Sequence, residues 1–246
     1  MGDKNLLFIH IPKTGGKTVN RFMAECLPPG HGIDFIENYD YADKPFFLSY
    51  RYYAGHLRLA QVLPLIPRAD FYIFTFLRDP AAQLLSHLAW AKNKTRAGAK
   101  PDPAEWDEYH LQLFANISAL DLTSPAAVEK FVATNTRYLR LFDNQQTRFL
   151  LDDVRETTLT ASDAEAALKT LQKFDFVGVT DRMEQGLGAI AAANGLTPPK
   201  VISVENKNPW RAEHGLARID PAVRKALEPW TKYDALVYDA ARGFKS

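Results

Sequence analysis

Near its N-terminus the sequence changes from a short apolar run to a loop rich in glycine and lysine, and then to a helical pattern. Residues 6–11 are nearly all apolar and are followed by Pro12, which is typical of a strand buried on both faces of a sheet. After the loop 13–18, apolar residues recur with the spacing of one helix face. These residues are Val19, Phe22, Met23, Cys26 and Leu27. The chain is therefore expected to open with a strand, a loop and a helix.

Strand and helix patterns alternate along the rest of the chain. Further strands are predicted at 47–54, 71–77 and 176–179, and helices after Pro80, within 103–150, over 163–174, over 181–194 and from 221 onward. This alternation predicts an α/β fold in which helices cover both faces of a mostly parallel sheet, with a helical insertion at about 103–150. Because no internal repeat or long linker interrupts the pattern, residues 1–246 are expected to form a single domain.

Charge and cysteine content exclude several classes of protein. There are 30 Lys and Arg residues against 29 Asp and Glu residues, so no global field draws the chain to nucleic acid. Apolar runs fall far short of the roughly 20 residues that span a bilayer, and residues 1–4 lead into the first strand without a signal-type segment. Cys26 is the only cysteine, so no internal disulfide can form. We therefore expect a cytoplasmic protein with no membrane span and no nucleic-acid partner.

The loop 13–18 has the features of a phosphate site. Between a buried strand and a helix, backbone N–H groups and the positive end of the helix dipole converge on one point, and Lys13 and Lys17 add charge there. The nucleoside-triphosphate loop G-x-x-x-x-G-K-[ST] is matched in its second half by residues 16–18, while Ile11 stands in place of its first glycine. An anion site is predicted, and the partial match leaves a kinase-like enzyme open.

Residues 9–18 resemble the 5′-phosphosulfate loop of the sulfotransferases, especially the carbohydrate type related to heparan sulfate 2-O-sulfotransferase and its bacterial relatives. Their sequence is Ile-His-Ile-Pro-Lys-Thr-Gly-Gly-Lys-Thr, whereas the family loop reads approximately P-K-T-G-G-T-[ST], so Lys17 departs from it. These enzymes use 3′-phosphoadenosine 5′-phosphosulfate (PAPS) and release 3′-phosphoadenosine 5′-phosphate (PAP). The resemblance implies a P-loop-like three-layer fold and a PAPS site in the loop. The loop residues concerned are Lys13, Thr14, Gly15, Gly16, Lys17 and Thr18.

A second stretch favours the sulfotransferase interpretation. Family members carry Arg-Asp-Pro at the end of a strand and, on the following helix, a serine that grips the 3′-phosphate; residues 78–80 and Ser86 match this pattern. Arg78 lies at the strand end where parallel sheets bind ligands and can offer two N–H groups to one phosphate. Ser86 lies about 150° from the middle of the apolar face of its helix and is expected outside the core. A triphosphate enzyme would need an acidic residue where Arg78 stands.

Three further stretches resemble the same family. Residues 53–56 resemble the segment that carries the catalytic histidine of the 2-O-sulfotransferases. Residues 144–148 resemble a helical signature of the bacterial members, and residues 176–182 resemble their late strand-to-helix junction. The resemblance therefore extends over most of the chain.

Sulfuryl transfer to a hydroxyl or an amine needs a base on the acceptor side and a cation at the leaving phosphate oxygen. His56, which follows the second predicted strand, is the candidate general base, and the carboxylates Asp34, Glu37 and Asp40 are the next candidates. Lys13, with the loop amides, is the candidate for stabilising the leaving oxygen. No metal is required for this division of roles.

The sequence leaves several points open. Lys207 and Arg211 are candidates for closing over the nucleotide, and a solvated loop is an equal interpretation of the segment that contains them. The residues do not define the oligomeric state, or whether the acceptor is a glycan, a phenol, a lipid or another small molecule. A P-loop kinase or other nucleoside-triphosphate enzyme and a non-catalytic nucleotide-binding protein are the alternative functions.

Overall fold

The computed structural model describes residues 4–42, 44–94, 108–202 and 218–243 of the protein. Within these ranges, five parallel strands form one sheet. In chain order they are β1 (Asn5–Ile9), β2 (Gly32–Ile33), β3 (Tyr52–Gly55), β4 (Phe71–Leu77) and β5 (Phe176–Val179). Across the sheet the order is β2-β3-β1-β4-β5, so β1 lies at the centre between β3 and β4. Lys207 and Arg211 lie outside the described residues.

Helices cover the sheet and occupy most of the chain between its strands. In chain order they are α1 (Gly16–Cys26), α2 (Leu59–Val62), α3 (Pro80–Lys94), α4 (Glu108–Ser118), α5 (Pro125–Thr134), α6 (Leu139–Phe142), α7 (Gln145–Leu150), α8 (Ala161–Leu171), α9 (Met183–Ala193), α10 (Pro221–Leu227) and α11 (Lys232–Gly243). Short 3₁₀ helices occupy Ile36–Asn38, Lys44–Leu48, Leu63–Leu65, Arg68–Asp70, Thr136–Tyr138, Thr180–Arg182 and Glu228–Trp230. None of the helices in the described ranges combines the length and hydrophobicity that crossing a membrane requires.

The central strand β1 is buried on both faces, because its apolar side chains alternate between two clusters. Leu7 and Ile9 pack on one face with residues of α8 and α11, and Leu6 and Phe8 pack on the other with residues of α1 and α9. Each is at most 1% exposed, and burial of a side chain of this size contributes roughly 1.5–3 kcal/mol. The two clusters hold a helical layer against each face of the sheet.

The predicted α/β class is confirmed, including the parallel sheet with helices on both faces. The strands Phe71–Leu77 and Phe176–Val179 lie where the apolar runs predict them. The strand predicted at 47–54 is wrong in its first half, because Lys44–Leu48 forms a 3₁₀ helix from which Phe47 packs into the core. The two-residue strand β2 carries no apolar pattern and was not predicted.

The helical insertion predicted at about 103–150 is confirmed for its described residues, which form α4 to α7. Residues of α4 and α5 pack with α3 and α10 in a third apolar cluster. The predicted start of α5 is also confirmed, since the Ser124 hydroxyl accepts a hydrogen bond from the Ala127 N–H at 3.3 Å.

Helix α3 is enclosed around most of its circumference. Leu84, Leu85 and Leu88 belong to the third apolar cluster, while Gln83 reaches toward the loop before α1. Ser86 is only 7% exposed, so the expectation that it lies outside the core is wrong. The angular argument failed because it assumes a helix with one buried face and one solvent face.

Candidate functional site

The loop between β1 and α1 presents backbone N–H groups at the start of a helix. Gly15 is the N-cap residue of α1 and has a φ of 90°, a left-handed conformation that glycine adopts at little cost. It provides no side-chain cap, and the first turn of α1 contains no acidic residue. The N–H groups of this first turn are therefore directed at a point where an anion is stabilised by the helix dipole.

Gly16 is needed because an aromatic ring lies against it. A Cβ atom at this position would overlap the ring of His10. His10 follows β1 directly, and its ring stacks on Phe8 with a centroid distance of 5.1 Å. The absence of a side chain at Gly16 thus allows the imidazole of His10 to approach the start of α1.

The inner part of the loop is held by hydrogen bonds to itself and to β4. The hydroxyl of the fully buried Thr14 donates to the Ile11 carbonyl at 2.8 Å, so this side chain shapes the loop. Lys13 has a φ of 69°, which is uncommon for a residue with a side chain. Its carbonyl accepts a hydrogen bond from Nη1 of Arg78 at 3.0 Å. Arg78 therefore stabilises the strained turn as well as carrying charge beside it.

Three cations meet at this loop: Lys13, Lys17 and Arg78. Burial and the neighbouring charges of Arg78 and Lys17 lower the pKa of Lys13 to about 8. Lys17 is exposed at the start of α1, whereas Lys13 and Arg78 are partly buried. These like charges repel one another, and an anion bound between them would relieve that repulsion.

The lowered pKa of Lys13 predicts a pH dependence of anion binding. Below pH 8 the ammonium is charged, and above it the group is increasingly neutral and must take up a proton to bind a phosphate. We expect the affinity for PAP to fall about tenfold between pH 7 and pH 9, measured by titration calorimetry. The Lys13→Arg variant keeps its charge and is expected to show a flat profile over this range. The same fall in the variant would assign the effect to another group.

The second predicted phosphate-binding element follows β4. Arg78 comes directly after this strand, and the carboxylate of Asp79 caps α3 by accepting a hydrogen bond from the Ala82 N–H at 2.9 Å. The other carboxylate oxygen of Asp79 pairs with Arg224 at 2.8 Å. Ser86 lies on α3 almost two turns after its start. The structure thus places Arg78 beside the loop, with the helix that carries Ser86 continuing from the same strand end.

His56 lies on the other side of the loop, directly after β3. Its Nδ1 lies 2.7 Å from the carbonyl oxygen of His10, and its backbone N–H donates to the Glu37 carboxylate at 3.0 Å. Because a carbonyl only accepts, Nδ1 carries a proton, and in the neutral ring the lone pair is then on Nε2. The rings of His10 and His56 are 4.2 Å apart. The carbonyl group of His10 thus orients the ring of His56, the candidate base.

His10 lies at the centre of this arrangement. The pattern of residues 6–11 predicts His10 within the first buried strand, whereas β1 ends at Ile9 and His10 is partly exposed just after it. Burial of its ring, together with the charges of His56 and Lys13, holds its pKa well below the usual value. His10 is therefore neutral near pH 7.

Sequence reasoning missed most of the residues that support the site. The sequence predicts Glu37 only as an alternative base, while in the structure its carboxylate accepts a hydrogen bond from the backbone N–H of His56. No role is predicted for Gln83 and Gln146, although they donate to the backbone carbonyls of Pro12 and Arg78, respectively. One signal was available, because residues 144–148 resemble a helical signature of the bacterial sulfotransferases.

Comparison with known proteins finds a similarity among solved structures. No protein-family model matches the chain, and no curated protein matches its sequence. Among solved structures, the crystal structure of the mouse sulfotransferase SULT7A1 complexed with PAP is similar in fold, with 11% sequence identity and a TM-score of 0.40. The similarity covers 99% of this chain and 86% of that one. An identity and a TM-score this low establish neither family membership nor function.

Proposed function

We propose that this protein is a PAPS-dependent sulfotransferase that transfers a sulfuryl group to a hydroxyl or an amine of an acceptor. The observation that carries the proposal is the order of functional groups along one sheet edge. The neighbouring strands β3, β1 and β4 are followed, respectively, by His56, by the loop before α1 and by Arg78. A base, a 5′-phosphate grip and a second cation therefore lie side by side, as a nucleotide with two separate phosphate groups requires.

The residues present fit PAPS. The loop amides and Lys13 would hold the 5′-phosphosulfate, and Arg78 with Ser86 would hold the 3′-phosphate. The three clustered cations supply positive charge that an anionic nucleotide would neutralise. When bound, PAPS supplies an activated sulfuryl group on a phosphate leaving group.

The remaining roles belong to the side chains of this chain. Nε2 of His56 accepts the proton of the acceptor, while the His10 carbonyl holds the ring in the tautomer that leaves this nitrogen basic. The ammonium of Lys13 stabilises negative charge on the opposite side, at the helix start. The exposed ring of Phe35 lies 6.1 Å from the His56 ring, which favours an acceptor with a ring face, such as a sugar or a phenol.

A nucleoside-triphosphate enzyme is the alternative that the loop alone would allow. Such an enzyme places a Mg²⁺-binding carboxylate at the end of the strand that follows the loop unit. Here Arg78 occupies the strand end, and the next residue, Asp79, uses both carboxylate oxygens to cap α3 and to pair with Arg224. These contacts favour PAPS over a Mg²⁺-bound triphosphate.

The Arg78→Ala variant tests the 3′-phosphate grip. We expect PAP binding to weaken by roughly 1.5–3 kcal/mol, the range for a charge-assisted hydrogen bond, and Ser86→Ala to cost less. AMP, which lacks only the 3′-phosphate, is the matched ligand. Because Arg78 also supports the Lys13 carbonyl, AMP binding should weaken too, but by less than PAP binding. Equal losses for both nucleotides, measured by calorimetry, would make Arg78 a structural residue only.

The activity itself is tested with PAPS labelled in its sulfuryl group. The protein is incubated with separate panels of oligosaccharides, phenols, lipids and amines, and labelled product is separated from PAPS. The expected result is label transfer to one class, at a rate about 100-fold or more lower in a His56→Ala control. Tight binding of PAP without transfer to any panel would instead favour a non-catalytic nucleotide-binding protein.

A further inference from the structure

The segment 144–148 has the sequence Asn-Gln-Gln-Thr-Arg and is buried throughout. Each of its five polar side chains is at most 5% exposed. Burial of polar groups is unfavourable unless they form hydrogen bonds, so five in succession indicate a specific network. The segment lies at the start of α7, outside the groups assigned to nucleotide or acceptor.

The side-chain amide of Gln146 forms hydrogen bonds with both the backbone N–H and the backbone carbonyl of Arg78. Its side-chain oxygen accepts from the Arg78 N–H at 2.8 Å, and its side-chain nitrogen donates to the Arg78 carbonyl at 2.9 Å. The amide thus pairs with Arg78 as a neighbouring strand would. These two bonds fix the backbone from which the Arg78 guanidinium extends.

Gln145 reaches the other anion-binding element through one intermediary. Its side-chain oxygen accepts from Nε2 of Gln83 at 2.7 Å, and the same Nε2 donates to the Pro12 carbonyl at 3.0 Å. Pro12 directly precedes Lys13 at the start of the loop. Successive residues of one helix turn are therefore connected to both proposed phosphate grips.

The start of α7 is itself held by α11. The carboxylate of Asp234 accepts from the Gln146 N–H at 3.1 Å and from the N–H and hydroxyl of Thr147 at 2.7 Å each. The Asn144 side-chain oxygen accepts from the backbone N–H groups of Tyr233 and Asp234. Arg148 forms a buried ion pair with Asp143. The two glutamines therefore extend from a support that does not touch the proposed ligand.

We propose that Gln146 and the Gln145–Gln83 pair are positioning residues that set the distance between the 3′-phosphate grip and the 5′-phosphate loop. The inference rests on the proposed function. Gln146 acts on the 3′ side through Arg78, and Gln83 acts on the 5′ side through Pro12. A side-chain amide suits the role of Gln146, because only a group with both a donor and an acceptor can pair with both main-chain atoms of one residue.

The two roles predict different effects on the affinities for PAP and AMP. Gln146→Met keeps the side-chain length and removes both bonds, and we expect it to weaken PAP about tenfold while AMP changes less than about twofold. Gln83→Met acts on the shared 5′-phosphate, so PAP and AMP should both weaken about fivefold and their ratio should be kept. Both dissociation constants are measured by calorimetry, without acceptor or turnover.

Thr147→Val is the matched control. It removes one buried hydrogen bond from the same helix turn but contacts neither grip. We expect a lower Tm with the PAP-to-AMP ratio unchanged. If Gln146→Met does not fold, Gln146→Glu keeps the acceptor, loses the donor and is expected to lower the ratio as well.

The outcomes separate the inference from the proposed function. A wild-type protein that binds PAP no better than AMP would overturn the proposed function and this inference with it. A wild-type preference for PAP that survives in the Gln146 variants, or that falls equally in Thr147→Val, would overturn the positioning role alone.

Discussion

Replacing His56 with alanine is expected to lower kcat about 100-fold or more and to leave the affinity for PAP within about twofold of wild type. The reason is that His56 is assigned to the proton of the acceptor, whereas the residues assigned to the nucleotide lie in the loop and after β4. A base of this kind contributes to the transition state and not to nucleotide binding.

The measurement is kcat at saturating PAPS and acceptor, together with the dissociation constant for PAP. His31→Ala is a suitable control, because His31 is an exposed histidine outside the group of strand ends that forms the site. A His56→Ala enzyme that keeps most of its activity would exclude His56 as the base. Glu37, whose carboxylate contacts the backbone of His56, would then be the next candidate.

Replacing Lys13 with methionine is expected to lower kcat by about 10²–10³, the effect of removing one preorganised group that stabilises developing charge. Lys13 is the partly buried cation of the loop, so its charge acts in a region of low dielectric. PAP binding should weaken as well, because the same ammonium is proposed to hold the 5′-phosphate.

Lys17→Met is the comparison for this variant, since Lys17 is exposed and its charge is screened by solvent. We expect its effect on kcat to be at least about tenfold smaller than that of Lys13→Met. Equal effects of the two substitutions would show that the loop contributes only net charge. Both are measured by single-turnover kinetics, which separate the chemical step from product release.

The parts of the fold that the sequence predicts well are those with continuous apolar runs. Strands β1, β4 and β5 are buried on both faces, so nearly every residue in them must be apolar, and the pattern is strong. β3 is half as long as predicted, because the aromatic residues before it pack as a 3₁₀ helix, which uses the same residue types. β2 is too short to produce any periodicity.

The site was predicted in pieces but not as an assembly. The loop 13–18, Arg78 and His56 all follow strands, and parallel strands bring their carboxyl ends to one edge, so their proximity followed from topology. The contacts between them could not be predicted from topology, because the hydrogen bonds from His56 to His10 and from Arg78 to Lys13 depend on strand register and side-chain rotamers. The burial of Ser86 also depends on how other elements pack around α3, which the spacing of apolar residues along the helix does not reveal.

The most direct test of a PAPS-type site is the thermal stabilisation of the protein by PAP compared with ATP–Mg²⁺ and GTP–Mg²⁺. A ligand that binds only the folded state raises stability by RT ln(1 + [L]/Kd), so at equal concentration the tightest ligand gives the largest rise in Tm. The arrangement of Lys13, Arg78 and the loop amides predicts a clear rise with PAP, a smaller one with AMP, and little with either triphosphate. A rise with ATP–Mg²⁺ or GTP–Mg²⁺ and none with PAP would contradict it.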